Sequence, residues 1–327
     1  MIMKEKVCLT TFVHGEKYQD FIPLFIYSVK KSYPDYSIKL FVSGSLKDGV
    51  RSQLSLLNIF DDFEVLENQF EDLNICSPLE ARTVRWILPR ENFLAYDYVY
   101  VVDIDIFYII EPISLHKQHI MHMEYLGLPF SNIRRNYNAK ANTLKLIYQR
   151  LRDTGPTAFL KFIRTGNLKA KQLTGLHFFK VEPYFEKMND SIKELTEIIS
   201  SKSYRTDMIN NDEVFLYKMI EKSGIDMTKI GLMKNSVSML DYNQPERLEF
   251  RPHHGIHLGI FRNRGSEKSL EPILRTKEYD YYIKVFEQFF DDPLFRDLLI
   301  HGSKTINKMI KRLTIYYDLD NSETKNV

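Results

Sequence analysis

The alternation of strand-patterned and helix-patterned segments over the first 110 residues constrains the fold more than any other feature of the chain. "KVCLTTFVHG" is rich in strand formers and closes at a turn, while "KYQDFIPLFIYSVKKSYPDY" repeats its apolar residues at helical spacing and stops near Pro34. "SIKLFVSG" then reads as strand, "DGVRSQLSLLNIF" as helix, "DFEVLEN" as strand, "SPLEARTVRWILPRENFL" as helix and "DYVYVVDID" as strand. That order predicts an α/β fold, a Rossmann-like and mainly parallel sheet flanked by helices. Such sheets bind ligands beyond the carboxyl ends of their strands.

The rest of the chain is long enough to complete one large domain. Its 327 residues are 44% apolar, which supports a sizeable core. With 45 basic against 43 acidic side chains, the bulk charge does not ask for nucleic acid as partner. Two cysteines, Cys8 and Cys76, cannot make a disulfide framework, so a reducing, cytoplasmic compartment is the simpler expectation. No run approaches the roughly 18 apolar residues of a membrane span. The start, "MIMKEKVCLTTFVHG", reads as a first strand and not as a secretion signal.

Beyond residue 110 a Lys/Arg/Asn-rich tract from Ile133 to about Arg152 reads as a mobile loop or a polar helix. "QLTGLHFFKVEPYFEKM" reads as strand then helix, and "NNDEVFLYKMIEKSG" as a helix with an acidic first turn and a glycine stop. From Ser269 onward the pattern is helical. Residues 1–268 are therefore expected to form one domain, and 269–327 a helical C-terminal extension.

Within "YDYVYVVDIDIFYIIEP", residues 96–112, an apolar run is interrupted by Asp103 and Asp105. On a strand, residues two apart face the same side. Two bare carboxylates that close are costly to bury, and a divalent cation resolves both the burial and the repulsion. The plainer alternative is that Asp103 caps a turn and Asp105 pairs with an arginine. In "PHHGIHLG", His253 and His257 share a face if the segment is extended, and either would complete a site begun by two carboxylates. Oxygen ligands with one imidazole suit Mn²⁺, with Mg²⁺ as substitute. Arg262 and Arg264 offer forked donors suited to phosphate.

The segment "EARTVRWILPRENFLAYDYVYVVDIDIFYIIEPIS", residues 80–114, resembles the metal-dependent GT-A glycosyltransferases, most closely the family 8 type. That family shows an arginine-bearing helix, a Leu-Pro or similar break, a strand ending in Asp-x-Asp and a short β continuation. The resemblance implies a GT-A fold, with residues 1–110 as the nucleotide-binding half and 111–268 as the donor-sugar and acceptor half. It implies that Asp103 meets the ribose or the metal, and that Asp105 holds the metal bridging the diphosphate. Arg82 and Arg85 are three apart on the expected helix and share a face; Arg85 lies nearer the family spacing and is preferred as the diphosphate or Asp103 partner. "TGLHFFKVEPYF" looks like the family's Asn-Ala-Gly strand beside the donor sugar, which places Gly175 there, with Thr174 where asparagine is usual. Thr10, Thr11 and Phe12 fall on the strand that carries the nucleoside pocket in such folds. His257 resembles the family's metal histidine, although Gly259 is one residue closer than the pattern, and Arg262 stands near its phosphate-binding lysine.

Asp212 and Glu213 lie about where such enzymes carry the catalytic side chain, with Asp212 preferred; the alternative is an acidic first turn complementing the helix dipole. The implied activity is transfer of a sugar from a UDP-sugar to a cell-surface glycan or glycolipid, of lipopolysaccharide or capsule type, with retention favoured. The terminal "SKTINKMIKRLTIYYDLD" carries Ile306, Met309, Ile310, Leu313 and Tyr317 at helical spacing among basic residues. It reads either as a peripheral contact with the inner membrane face or as a helix packed on the domain or a second subunit. Two competing readings are a nucleotidyltransferase and a non-catalytic nucleotide-binding scaffold. The first needs a Gly-rich, basic phosphate loop after the first strand, of which "TTFVHGEKYQD" is a poor example. The intact Asp pair counts against the second.

Overall fold

The computed structural model describes residues 5–75, 78–136, 171–201, 212–231, 254–263, 265–269 and 271–319. The first half follows the sequence pattern closely. Strand β1 (Val7–Val13) is buried along its whole length and leads through α1 (Glu16–Gln19) into α2 (Ile22–Ser32), which carries Pro23 in its first turn. Strand β2 (Ser37–Val42), helix α3 (Asp48–Leu56), strand β3 (Phe63–Leu66), helix α4 (Pro78–Val84) and strand β4 (Tyr98–Val101) follow. Next come β5 (Ile106–Tyr108), α5 (Leu115–Leu126), β6 (Phe130–Ser131), β7 (Arg134–Asn136), β8 (Lys171–Leu173), β9 (His177–Lys180), α6 (Val181–Ser200), α7 (Asp212–Lys222) and β10 (Gly255–His257). Helices α8 (Ser266–Ser269), α9 (Glu271–Leu274), α10 (Lys277–Gln288), α11 (Pro293–Ile300) and α12 (Lys304–Tyr316) complete the chain.

The central six-stranded sheet has the order β3-β2-β1-β4-β9-β6. Its first four strands are parallel, and β9 runs antiparallel to both β4 and β6. The fold is thus mixed α/β with a mostly parallel sheet. Strand alternation sends Val7, Leu9, Tyr98 and Tyr100 into one core with α2, β5, β10 and the last helices, and Cys8, Phe12, Val99 and Val101 into a second core with α4, α6 and α7. Two small antiparallel pairs, β5 with β10 and β7 with β8, stand outside the main sheet.

Several expectations change in detail. The helix read over residues 77–94 ends at Val84, and a separate 3₁₀ turn spans Arg90–Phe93. Pro89 bars the helix from running on to Leu94, because it lacks an N–H and disfavours helical backbone in the residue before it. Arg82 is exposed on α4 while Arg85 lies just past its end and is buried, so the two do not share a helix face. The strand read through Asp105 stops at Val101, and the two aspartates occupy the turn that follows. "QLTGLHFF" is two strands in different sheets, with Thr174 and Gly175 between them. Most of the Lys/Arg/Asn-rich tract, together with Cys76, His253 and Arg264, lies outside the described residues.

The C-terminal helices pack into the same core as β1. Tyr27 of α2 donates its hydroxyl to Asp292 at 2.8 Å, and Gln53 of α3 donates to the Leu298 carbonyl at 2.7 Å. Ile306, Met309, Ile310 and Leu313 of α12 are all buried. Each such side chain contributes about 1.5–3 kcal/mol where it is, so the apolar face read as a membrane contact is consumed by the protein. Among the described residues no helix is long and apolar enough to cross a membrane.

Candidate active site

Because β1 and β4 are parallel neighbours, the chain after Val101 emerges at the carboxyl edge of the sheet. Val102 still donates to the Thr10 carbonyl at 3.0 Å; the backbone then turns at Ile104 and Asp105 and returns as β5. The turn sends the two carboxylates to different partners, which is the main departure from the strand-face expectation. Each like charge finds its own cation instead of sharing one.

On one side, the Arg85 guanidinium forks between two carboxylates. Nη1 donates to Asp103 Oδ1, and Nη2 donates to Asp212 Oδ2 at 2.5 Å. The arginine lies over the Trp86 ring, 4.5 Å from its centroid. Burial acts to lower the arginine pKa, and the two aspartates outweigh it and raise it, so the charge is permanent. The Arg85 and Asp212 side chains are 8% and 6% exposed, whereas Asp103 is 33% exposed and supplies the open face. Gly175 closes the other flank: its N–H donates to Glu213 Oε1 at 3.0 Å, and a Cβ there would sit 2.8 Å from Arg85 Nη2. Arg85, Asp103, Gly175, Asp212 and Glu213 therefore form one connected group.

On the other side, His257 Nε2 lies 3.2 Å from Asp105 Oδ1. The pair is set by β10, whose His257 sits opposite Ile106 of β5, and by the Leu258 N–H donating to the Asp105 carbonyl at 2.9 Å. Burial acts to lower the His257 pKa, but the Asp105 charge and hydrogen bond, with Asp103 behind, lift it to about 9. Burial likewise acts to raise Asp105, and His257 and Arg262 hold it below the usual carboxylate range. Gly259 packs so closely that a Cβ would lie 2.1 Å from Asp105 Oδ2. Arg262 stacks on Tyr18 and Phe21, with ring centroids 5.0 and 5.7 Å away.

Among the described residues no group of three His, Cys, Asp or Glu side chains is gathered to hold a metal ion. Of the expected set Asp103, Asp105 and His257, only the last two are in direct contact. Their chemistry fits a divalent cation, one carboxylate and one imidazole, and the proton on His257 already serves as the positive charge between them.

The nucleoside-pocket candidates fall differently. The Thr10 hydroxyl is spent inside the sheet on the Lys39 carbonyl at 2.7 Å, and Thr11 is buried. Phe12 is packed among His14 and Phe70 near the end of β1.

Two residues that sequence reasoning passed over support the site. Asn132 accepts from the Thr174 N–H and hydroxyl at 2.9 and 2.8 Å and donates to the Leu176 carbonyl at 3.0 Å, so it staples the loop that carries Gly175. A lone asparagine after a short strand gave no signal of this. Arg312 of α12 donates to the carbonyls of Phe261 and Arg262 at 3.1 and 2.7 Å, fixing the turn that presents Arg262.

No protein-family model and no curated protein sequence matches the chain. Among solved structures, the galactosyltransferase LgtC in complex with donor and acceptor sugar analogues is 13% identical, with 65% of this chain and 70% of that one covered at a TM-score of 0.37. Core-mannan synthase A of Aspergillus fumigatus, in an Mn/GDP form, is 8% identical over 66% of this chain and 70% of its own, at a TM-score of 0.39. The glycosyltransferase GlyE of Streptococcus pneumoniae is 10% identical over 89% of this chain and 64% of its own, at 0.41. Likeness at this level does not extend to donor, reaction or individual residues.

Proposed function

We propose that the chain is a metal-dependent glycosyltransferase of GT-A arrangement and hexosyltransferase type, taking a UDP-sugar as donor and a cell-surface glycan or glycolipid as acceptor. The observation that carries this reading is the parting of Asp103 and Asp105 at the carboxyl edge of the parallel sheet, one toward a fixed arginine and one toward a protonated histidine. Two such environments side by side would suit a donor that carries a diphosphate next to a sugar.

Asp105 and His257 are the residues that would hold Mn²⁺ or Mg²⁺. Such an ion, when bound, neutralises the charge that builds on the leaving diphosphate. Arg262 adds fixed positive charge on the same side, where it favours a phosphate oxygen. On the other side, Asp103 keeps an exposed flank able to accept hydrogen bonds from ribose or sugar hydroxyls, while Arg85 prevents it from swinging. Asp212 accepts from Arg85 and Glu213 from the Gly175 N–H, which fixes both carboxylates at the site as the proposed catalytic pair. We favour retention, in which the acceptor proton passes to the leaving phosphate oxygen on the same face.

The test is UDP release from a panel of UDP-sugars, with and without Mn²⁺. One donor is expected to be hydrolysed slowly in a metal-dependent manner, and Asp105→Asn is expected to lower that rate about 100-fold. Absence of turnover with every donor, or turnover indifferent to metal and to Asp105, rejects the proposal. Pyrophosphate release from UTP and a sugar phosphate would favour the nucleotidyltransferase reading instead.

A further inference from the structure

Behind the site, between the sheet and α5, buried polar side chains run in one hydrogen-bonded line. Tyr282 of α10 donates its hydroxyl to Glu111 Oε1, and Gln118 donates its amide to Glu111 Oε2. His254 Nδ1 lies 3.4 Å from that same Oε2, and its Nε2 lies 3.2 Å from Nε2 of His119. Ser131 Oγ is 2.9 Å from His119 Nδ1 and 2.8 Å from His122 Nδ1. All of these side chains are buried.

A carboxylate at Glu111 accepts from Nδ1–H of His254, and a neutral imidazole there presents a bare Nε2 to His119. His119 then carries its proton on Nε2, which leaves Nδ1 to accept from Ser131. Ser131 has one proton to give; having given it to His119, it accepts from Nδ1–H of His122. Burial, reinforced by the neighbouring histidines, holds His119 well below the usual histidine range, and burial lowers His122 to about 4. Both are held neutral at pH 7, and with a neutral His254 the line takes a single polarity.

We propose that this line is a positioning device for His257, resting on the reading of Asp105 and His257 as a metal-binding pair. His254 immediately precedes β10, which is only three residues long. A two-stranded pair so short is marginal by itself. Its far end is pinned by the Leu258 N–H on the Asp105 carbonyl, and its near end by the Ile109 N–H donating to the His254 carbonyl at 3.2 Å. The His254 imidazole fixes that near end to Glu111 and α5. Through Tyr282, the C-terminal helices share in setting where His257 stands. Glu111, His119 and His254 are therefore positioning residues.

The experiment uses the full chain, labelled with ¹⁵N, free of metal at pH 7. Long-range ¹H–¹⁵N correlations are expected to show His122 and His254 protonated on Nδ1 and His119 on Nε2. A proton on Nδ1 of His119, or on Nε2 of His254, overturns the proposal. Amide exchange at Ile109 and Leu258 then separates positioning from bulk packing. His119→Gln keeps an N–H toward His254 and is expected to exchange at the wild-type rate, while His119→Leu exchanges about tenfold faster. Equal rates in the two variants contradict the proposal, and if neither folds the wild-type tautomers decide. Mn²⁺ affinity, followed by the loss of the free-ion paramagnetic resonance signal, is expected to fall about tenfold in the Leu variant alone. A wild-type protein with the expected tautomers that binds no Mn²⁺ rejects the metal reading, and the tautomer and exchange results still judge the line.

Discussion

Asp103 and Asp105 are separated by one residue, yet they belong to two electrostatic regimes. Asp103 shares a buried arginine with Asp212, and that arginine never gives up its charge in the pH range of a folded protein. Asp105 shares a proton with His257, whose charge is present only because the carboxylate lifts the imidazole to about 9. The first pairing is scaffold: removing the cation leaves a buried charge with nothing to replace it. Under the proposed function the second is exchangeable, because a divalent ion would take the place of the proton. A tripeptide that looks symmetrical in the sequence thus sends one carboxylate to a fixed arginine and the other to a titratable histidine.

The largest effect expected from this contrast is on stability. Arg85→Ala leaves Asp212 buried without its counter-ion and should cost about 3–5 kcal/mol in urea unfolding. A loss no greater than that from His257→Ala would erase the distinction between the two sides. Next in size is Gly259→Ala, whose Cβ would collide with the Asp105 carboxylate. It should cost about 1–3 kcal/mol and weaken Mn²⁺ binding, while the Arg85 side keeps its stability contribution.

The pH dependence sharpens the comparison further. The folded pKa of His257 is raised, so its contribution is complete below the unfolded value of about 6.5 and disappears as pH rises through about 9. Asp105 is depressed, so its share is lost as pH falls through its folded pKa, below the ordinary carboxylate value. The stability difference between wild type and His257→Gln, about 1–2 kcal/mol for a partly exposed charged hydrogen bond, should be largest between about pH 4 and 6.5 and vanish above about 9. The Arg85→Ala difference should not change between pH 6 and 10; a parallel decline there would break the contrast. The smallest expected effect is that of Arg312→Ala, about 1 kcal/mol, with a weaker affinity for UDP through displacement of Arg262.

Much of this arrangement is legible in the sequence because its signals are local. The alternation that yields β1 to β4 depends on spacing within short segments, and the Asp pair is conspicuous by following a buried strand. The partners of that pair are not local. Arg85 reaches Asp103 because α4 ends at Val84, short of Pro89, a breaker visible in the sequence and overridden there by the longer apolar pattern. Gly175 was a signal of the same kind, since a glycine inside a strand pattern marks a break or a close approach; here it marks both. Asn132, His119 and His122 acquire their roles only when α5 and β6 meet the sheet. The apolar stripe of α12 is plain in the sequence, but nothing in a stripe says whether lipid or protein will cover it.

The most direct measurement is a calorimetric titration of UDP into the protein with and without Mn²⁺, with Asp105→Ala alongside. The account predicts metal-dependent binding in the wild type and none in the variant. Binding that ignores the metal, or that survives intact without the Asp105 carboxylate, would contradict it.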